Sequence, residues 1–359
     1  MKRLKVIAII FLVLIILFFA GPQPPKPELS SMLPCIDIPI EQLDEWIKQR
    51  EDSFPVKPGN ESEIVWANDS LKQKTEYCLL YLHGFSASGH EGYPTHINFA
   101  AHYDMNAYIP RLAPHGLDVP EPLLNMTPDK LYNSAKEAFQ IAKILGEKII
   151  IMSTSTGGTL SLKLAAEFPE SIAGMLLLSP NIRINNPAAP LLSGPWGLQI
   201  ARTFYKGKYR IIDDDECTYW NCKYRLEAIV YLQQLVAATM KSELYARVKT
   251  PVFLAYYYKD EQHQDLVVKV DAMLDMFDKL GTPHQLKVKQ AFDAGRHVIG
   301  GEDSNCQPEV EQACILFASE ILGISASADL QSVHFIKYKW HGLQIRASGL
   351  FGKVLIFNS

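Results

Sequence analysis

Between Glu63 and Leu322 the chain alternates short apolar runs with segments whose apolar residues recur every three or four positions. The first kind reads as strand and the second as helix. Strands are predicted at Ile64–Trp66, Tyr77–Leu82, Ala107–Ile109, Lys148–Met152, Ile172–Leu178, Pro251–Tyr257 and Gln285–Ala291. Helices are predicted at Thr95–His102, from Thr127 to Leu145, after Gly158 as far as Phe168, at Leu266–Leu280 and at Pro308–Leu322. Thr127 caps its helix, Pro128 suits the first turn, Asp129 complements the dipole and Gly146 ends it. Such alternation implies an α/β fold, a mostly parallel sheet with helices on both faces. Functional groups then belong at the carboxyl ends of the strands.

Three stretches break the rhythm. Residues 181–249 carry helix-like pieces, Trp196–Phe204 and Arg225–Ala246, around a polar Asp213–Cys217 stretch. Ordinary connections in such folds run to about six residues, so this segment reads as a helical lid inserted over the carboxyl edge. Residues 325–359 are basic, aromatic and strand-tending at Val333–Ile336 and Lys353–Phe357, an extension to which the pattern assigns no role. At the other end, Met1-Lys2-Arg3-Leu4-Lys5 precedes an unbroken apolar run from Val6 to Ala20, followed by a Pro-rich tether and short helix over residues 22–60.

Residues 1–21 read as an uncleaved membrane anchor or a cleaved signal. The run is short against the roughly 20 residues that span a bilayer, but lysines at its border can snorkel. Phe18 stands where cleavage after Ala20 wants a small residue, which favours a transmembrane signal anchor. The basic end should stay cytoplasmic, leaving the domain at 61–324 on the other side. The six cysteines permit disulfides in such an exported protein. Cys217 and Cys222 are close enough to pair within one loop, while Cys78 sits in an apolar strand as a small core residue. A net charge of −4 makes no case for nucleic acid.

Candidate chemistry centres on Ser153-Thr154-Ser155-Thr156-Gly157, between the fourth apolar strand and its helix. It is a variant of the G-x-S-x-G nucleophile elbow with Ser153 in place of the first glycine. The elbow needs small residues two before and two after the nucleophile, because strand and helix backbones pass closely there. Ser155 meets that test with Ser153 and Gly157; Ser153 would have the bulky Ile151 before it. The plainer alternative is a Ser/Gly-rich turn that binds phosphate or nothing. A serine hydroxyl needs a base, and the base an orienting acid. His297 follows the last strand within Phe292-Asp293-Ala294-Gly295-Arg296-His297. The acid lies between Asp260 and Asp265, after the Pro251–Tyr257 strand. Asp265 is preferred, because it stands just before an apolar helix start and its D-x-V-V context lets the valines pin the loop. Oxyanion donors are expected from the N–H of Thr156, after the nucleophile, and of Phe85, in His83-Gly84-Phe85.

His83-Gly84-Phe85-Ser86, the elbow at Ser155, and Pro110-Arg111-Leu112-Ala113-Pro114-His115-Gly116 together resemble the α/β-hydrolases, within them bacterial carboxylesterases and monoacylglycerol lipases. The resemblance covers about Glu63 to Leu322. It departs at Ser153 and at Pro114, both glycine in the family's pattern, and it makes His115 a support for the oxyanion loop. It implies an α/β-hydrolase fold and a serine hydrolase of carboxylic esters with Ser155, Asp265 and His297 as triad. The substrate would be a small-molecule or lipid ester. Apolar residues at Pro187–Trp196, Trp220, Tyr224 and Leu232 suit an acyl pocket, or pack the lid on the body. No Gly-rich phosphate loop or metal cluster is present in the sequence, so no cofactor is expected. Rival readings keep the same triad for a thioester or amide, or keep the scaffold as a membrane-tethered binding protein.

Overall fold

The computed structural model describes residues 2–212 and 217–326. The polar Asp213–Glu216 stretch and the strand-tending segments at Val333–Ile336 and Lys353–Phe357 lie outside the described residues. In chain order the helices are α1 (Lys2–Phe19), α2 (Leu43–Asp52), α3 (Thr95–His102), α4 (Pro128–Leu145), α5 (Thr156–Glu167), α6 (Gly197–Phe204), α7 (Leu226–Thr239), α8 (Ser242–Tyr245), α9 (Val270–Lys279) and α10 (Gln307–Glu320). The strands are β1 (Glu63–Val65), β2 (Thr75–Leu82), β3 (Asn106–Ile109), β4 (Gly146–Thr154), β5 (Ile172–Leu178), β6 (Tyr209–Ile211), β7 (Lys223–Arg225), β8 (Val252–Tyr257) and β9 (Lys287–Phe292).

Seven strands form one sheet in the order β1-β3-β2-β4-β5-β8-β9, parallel except for β1 against β3. Its central strands are apolar throughout because both faces are covered. Leu80, Leu82, Ile149 and Ile151 enter one core with α4, α5 and α9. Leu79, Tyr81, Ile150 and Met152, alternate residues of the same strands, enter the other with α3 and α10. The expected mostly parallel sheet with helices on both faces is therefore what the chain builds.

Several boundaries differ from the sequence reading. Helix α9 begins at Val270 rather than at Leu266, because the Asp265 carboxylate takes the Val267 and Val268 N–H groups into a side-chain turn. The single helix expected over Arg225–Ala246 is α7 and α8 with a break at Met240, and β6 pairs with β7 in a small hairpin the sequence pattern did not announce. Gly146 stops α4 in extended conformation, as the first residue of β4, and not as a left-handed cap. Thr127 caps α4 as expected, accepting from the Lys130 N–H.

The N-terminal residues are less free than a tether. Asp129 Oδ1 accepts the Glu28 and Leu29 N–H groups at 2.9 and 2.6 Å, Lys136 Nζ donates to the carbonyls of Ser30 and Met32, and Leu43 and Ile47 of α2 are buried in the main core. Trp196 Nε1 donates to the carbonyls of Leu17 and Phe18 at the end of α1. Among the described residues no helix is long and apolar enough to cross a membrane. The apolar run of α1, Val6–Phe19, rises about 21 Å at 1.5 Å per residue, against roughly 30 Å of hydrocarbon, and the first turn of the helix carries Lys2, Arg3 and Lys5. The transmembrane helix expected from the sequence is thus not supported. Cys217 and Cys222 form the disulfide their spacing allows, and Cys78 is buried in β2.

Asp129→Ala should leave the sheet intact while costing about 1 kcal/mol through the lost tether bonds. Limited proteolysis checks this: cleavage within residues 22–36 should accelerate severalfold, and an unchanged cleavage pattern would mean the segment is held by other contacts.

Candidate active site

The strand-to-helix turn after β4 fixes Ser155. Its backbone sits at φ 53° and ψ −116°, a conformation that strains any residue with a side chain. The Ser155 N–H donates to the Leu178 carbonyl of β5, and the Ser155 carbonyl accepts from Asn181 and Gly158. Crowding here is severe. A Cβ on Gly157 would stand 1.9 Å from the Leu82 carbonyl oxygen, so glycine alone lets α5 pass over the end of β2. Two residues before Ser155, Ser153 is fully buried between Leu82 and Leu177. The small-residue test applied to the sequence therefore describes a real contact.

His297 and Asp265 come together from loops at the carboxyl ends of β9 and β8. His297 Nδ1 lies 2.6 Å from Asp265 Oδ2. Asp265 Oδ1 accepts the N–H groups of Val267 and Val268 at 2.8 and 3.0 Å, which orients the carboxylate. Of the two valines expected to pin this loop, Val268 is buried and Val267 is exposed. Burial works to raise the Asp265 pKa, but the charge and ring N–H of His297 with the two valine N–H groups outweigh it and hold it below its ordinary value. For His297 burial works downward, and Asp265 overcomes it, with help from Glu91, so the imidazolium is favoured. His297 Nε2 is buried without a partner, and it makes no hydrogen bond with Ser155 Oγ. The alternative acid, Asp260, is exposed and bound to His263 and Gln262, away from His297.

The loop after β2 also comes close to Ser155. A Cβ on Gly84 would lie 3.1 Å from Ser155 Cβ. Leu112 N–H donates to His83 Nε2, so the ring proton is on Nδ1, which donates to the Gly84 carbonyl at 2.8 Å. Burial depresses the His83 pKa to about 4, which keeps this tautomer neutral. His115 packs edge-on against His83 and Phe85, with Nδ1 donating to the Leu112 carbonyl. Among the described residues, neither the Phe85 nor the Thr156 N–H donates to a protein acceptor outside its own element. From the 181–249 segment, Tyr224 packs edge-on against Phe85 at 5.2 Å and the Asn221 N–H donates to the Ser86 carbonyl. Leu232 is buried in the main core, while Trp196 sits at the end of α1.

One group in this region escaped the sequence reading. Glu91, in the turn Gly89–Gly92, is 4 % exposed, and a Cβ on Gly84 would lie 2.7 Å from its Oε1. No signal beyond its nearness in sequence to His83-Gly84-Phe85 could have found it.

No protein-family model matches the sequence, and neither does any curated protein. Solved structures do. One of two metagenome-derived lipolytic enzymes, LipS and LipT, aligns at TM-score 0.56 and 18% identity, over 74% of this chain and 100% of its own. A monoacylglycerol lipase of Paleococcus ferrophilus aligns at 0.52 and 14%, over 74% and 98%. Est1E of Butyrivibrio proteoclasticus, with ferulic acid bound, aligns at 0.50 and 15%, over 75% and 99%. The fold is that of the α/β-hydrolases. In this chain the loops at the carboxyl ends of β2, β4, β8 and β9 carry Phe85, Ser155, Asp265 and His297.

Two measurements test this geometry. Ser155→Gly should be more stable than Ser155→Ala by about 1 kcal/mol, because glycine adopts the elbow conformation without strain; equal denaturant midpoints would remove the strain argument. The Asp265–His297 pair should be pH-dependent in a defined window. A raised His297 pKa stabilises the fold fully below its ordinary 6.5 and loses that contribution as pH rises through the folded value. A lowered Asp265 pKa does so above its ordinary 3.8 and loses it as pH falls through the folded value. Asp265→Asn should therefore lose more stability near pH 5.5 than near pH 8.5, and a pH-independent loss would contradict the pairing.

Proposed function

We propose that this protein is a serine hydrolase that cleaves carboxylic esters through an acyl-enzyme. The reading rests chiefly on one observation, the 2.6 Å contact of His297 Nδ1 with a buried, doubly anchored Asp265 carboxylate. It is joined by a strained serine at the start of α5. The structural neighbours that share the fold are described as lipolytic enzymes, a monoacylglycerol lipase and an esterase with a ferulate ligand.

His297 takes the Ser155 proton as Oγ attacks the ester carbonyl, and Asp265 holds the tautomer that leaves Nε2 free to do so. The required Ser155–His297 hydrogen bond forms with substrate, as such bonds commonly tighten on binding. The Phe85 and Thr156 N–H groups receive the oxyanion, the second reinforced by the positive end of α5. His297 then returns the proton to the leaving alcohol, activates water, and the acid departs. Residues 181–249 act as a lid: Ser155 is 7 % exposed beneath its surroundings, and Tyr224 and Asn221 reach the oxyanion loop.

An exported location follows on the same reading, supported by the Cys217–Cys222 disulfide. Helix α1 exposes Ile9, Phe11, Leu12 and Ile16 among its large apolar side chains, which fits attachment to a lipid surface.

Ser155→Ala should abolish hydrolysis of a short p-nitrophenyl ester, by 10³-fold or more, and abolish fluorophosphonate labelling while the protein stays folded. Wild-type labelling with no ester turnover would favour another acyl substrate. Absence of labelling in the wild type would favour a binding protein and overturn the proposal.

A further inference from the structure

Gly84 has two free backbone torsions, and the direction of the Phe85 N–H depends on both. The trans peptide between Gly84 and Phe85 points its carbonyl and its N–H in opposite directions. His83 Nδ1–H holds that carbonyl at 2.8 Å and so fixes the plane. The preceding peptide plane, which carries the Gly84 N–H, is held by a different group: Glu91 Oε2 accepts the Gly84 N–H at 2.6 Å. Glu91 is itself located from β2, since the Tyr81 hydroxyl lies 3.4 Å from Oε2 and 2.9 Å from Thr154 Oγ1. A chain of side chains thus runs from Thr154, the residue before the nucleophile, through Tyr81 and Glu91 to the oxyanion loop.

We propose that Glu91 is a positioning residue for ester hydrolysis, its carboxylate anchoring the Gly84 N–H so that the Phe85 N–H points at the oxyanion. The proposal rests on the serine-hydrolase reading above and adds a residue to it. Gly84 is required by this arrangement, because a Cβ there would collide with Glu91 Oε1 at 2.7 Å and crowd Ser155 Cβ at 3.1 Å.

The surroundings add a pH dependence. The Glu91 carboxylate faces the Tyr81 hydroxyl of β2 and His297 of the loop after β9. On its own turn His90 is turned toward Tyr219 and Glu302, and His96 of α3 lies against Tyr81. Burial pushes the Glu91 pKa up to about 7, against the opposing pull of the Gly84 N–H, the His297 charge and the Tyr81 hydroxyl. An ionised Glu91 favours the protonated His297 and so raises the pH below which the base is lost.

The test compares Glu91→Asp and Glu91→Gln in the full-length protein, with active sites counted by fluorophosphonate titration and folding followed by thermal melts. Asp keeps the charge but withdraws it by one methylene from the Gly84 N–H. Gln keeps the reach and drops the charge. Glu91→Asp should lower kcat per titrated site at least tenfold at the alkaline plateau, with KM within twofold. Glu91→Gln should recover part of that kcat, and its acid limb should move to lower pH. Wild-type kcat per site in Glu91→Asp would overturn the proposal. Equal losses in both variants with an unmoved acid limb would also overturn it, leaving only a packing role. A wild-type protein that fails to label would sink the hydrolase reading itself, which is a separate outcome.

Discussion

The close passage of α5 over the end of β2 is the constraint on which the site depends. With no side chain on Gly157, the first turn of α5 comes down onto the Leu82 carbonyl and the turn at Ser155 closes to its strained form. Strain of this kind costs roughly 1–3 kcal/mol and persists only where its surroundings over-determine it. Here they do. β4 is paired on both sides, by β2 and β5, along most of its length, and the Ser155 peptide groups are bound by Leu178, Gly158 and Asn181. The apolar core therefore does more than stabilise the fold. It holds the hydroxyl at the edge where β2, β8 and β9 bring their loops.

Two buried carboxylates close to that edge show how environment sets charge. Asp265 accepts two backbone N–H groups and a ring N–H, and the sum exceeds the cost of burial, so it remains ionised. Glu91 has one backbone N–H at close range and a longer contact to Tyr81, and burial prevails. The two acids consequently have different uses. Asp265, its pKa held below the ordinary value, is an anion that fixes the His297 ring through Nδ1. Glu91 changes charge near neutrality and sits where that change is felt by His297.

How much of this the sequence carried depends on the range of the interaction concerned. The central strands were legible because residues such as Ile149–Met152 are buried on both faces and leave an uninterrupted apolar run. The tight turn at Ser155 was legible because an elbow imposes size limits on residues two positions away, and the meeting of His297 with Asp265 because chain order and strand ends restrict where they fall. What failed was set by side chains acting on backbone. The start of α9 was displaced by Asp265, whose carboxylate competes with helix formation over Leu266–Lys269. The docking of residues 28–32 relies on Asp129 and Lys136, about a hundred positions away, through carbonyl and N–H groups that carry no sequence signature. Glu91 lies in a Gly-His-Glu-Gly turn with no periodicity to mark it.

The loop at Gly84–Ser86 is also held from outside, and this gives the 181–249 segment a part in its geometry. The Cys217–Cys222 disulfide closes a short loop whose Asn221 N–H binds the Ser86 carbonyl and whose Tyr219 ring stacks on His90 at 3.7 Å. Lys57 Nζ binds the carbonyls of Cys217 and Trp220, and Asn60 binds that of Thr218, so the same loop is fastened to the segment before β1. Ser86 is itself at φ 64°, a conformation that needs such support. Glu91 grips the loop at Gly84 from within while Asn221 grips it at Ser86 from above, and Phe85 lies between the two points. An amide fixed on both flanks needs little reorganisation when charge develops in front of it, which is the property electrostatic stabilisation requires. Any opening of the covering segment large enough to break the Asn221 contact would release one flank, so on the proposed mechanism substrate admission and oxyanion geometry are coupled through Ser86.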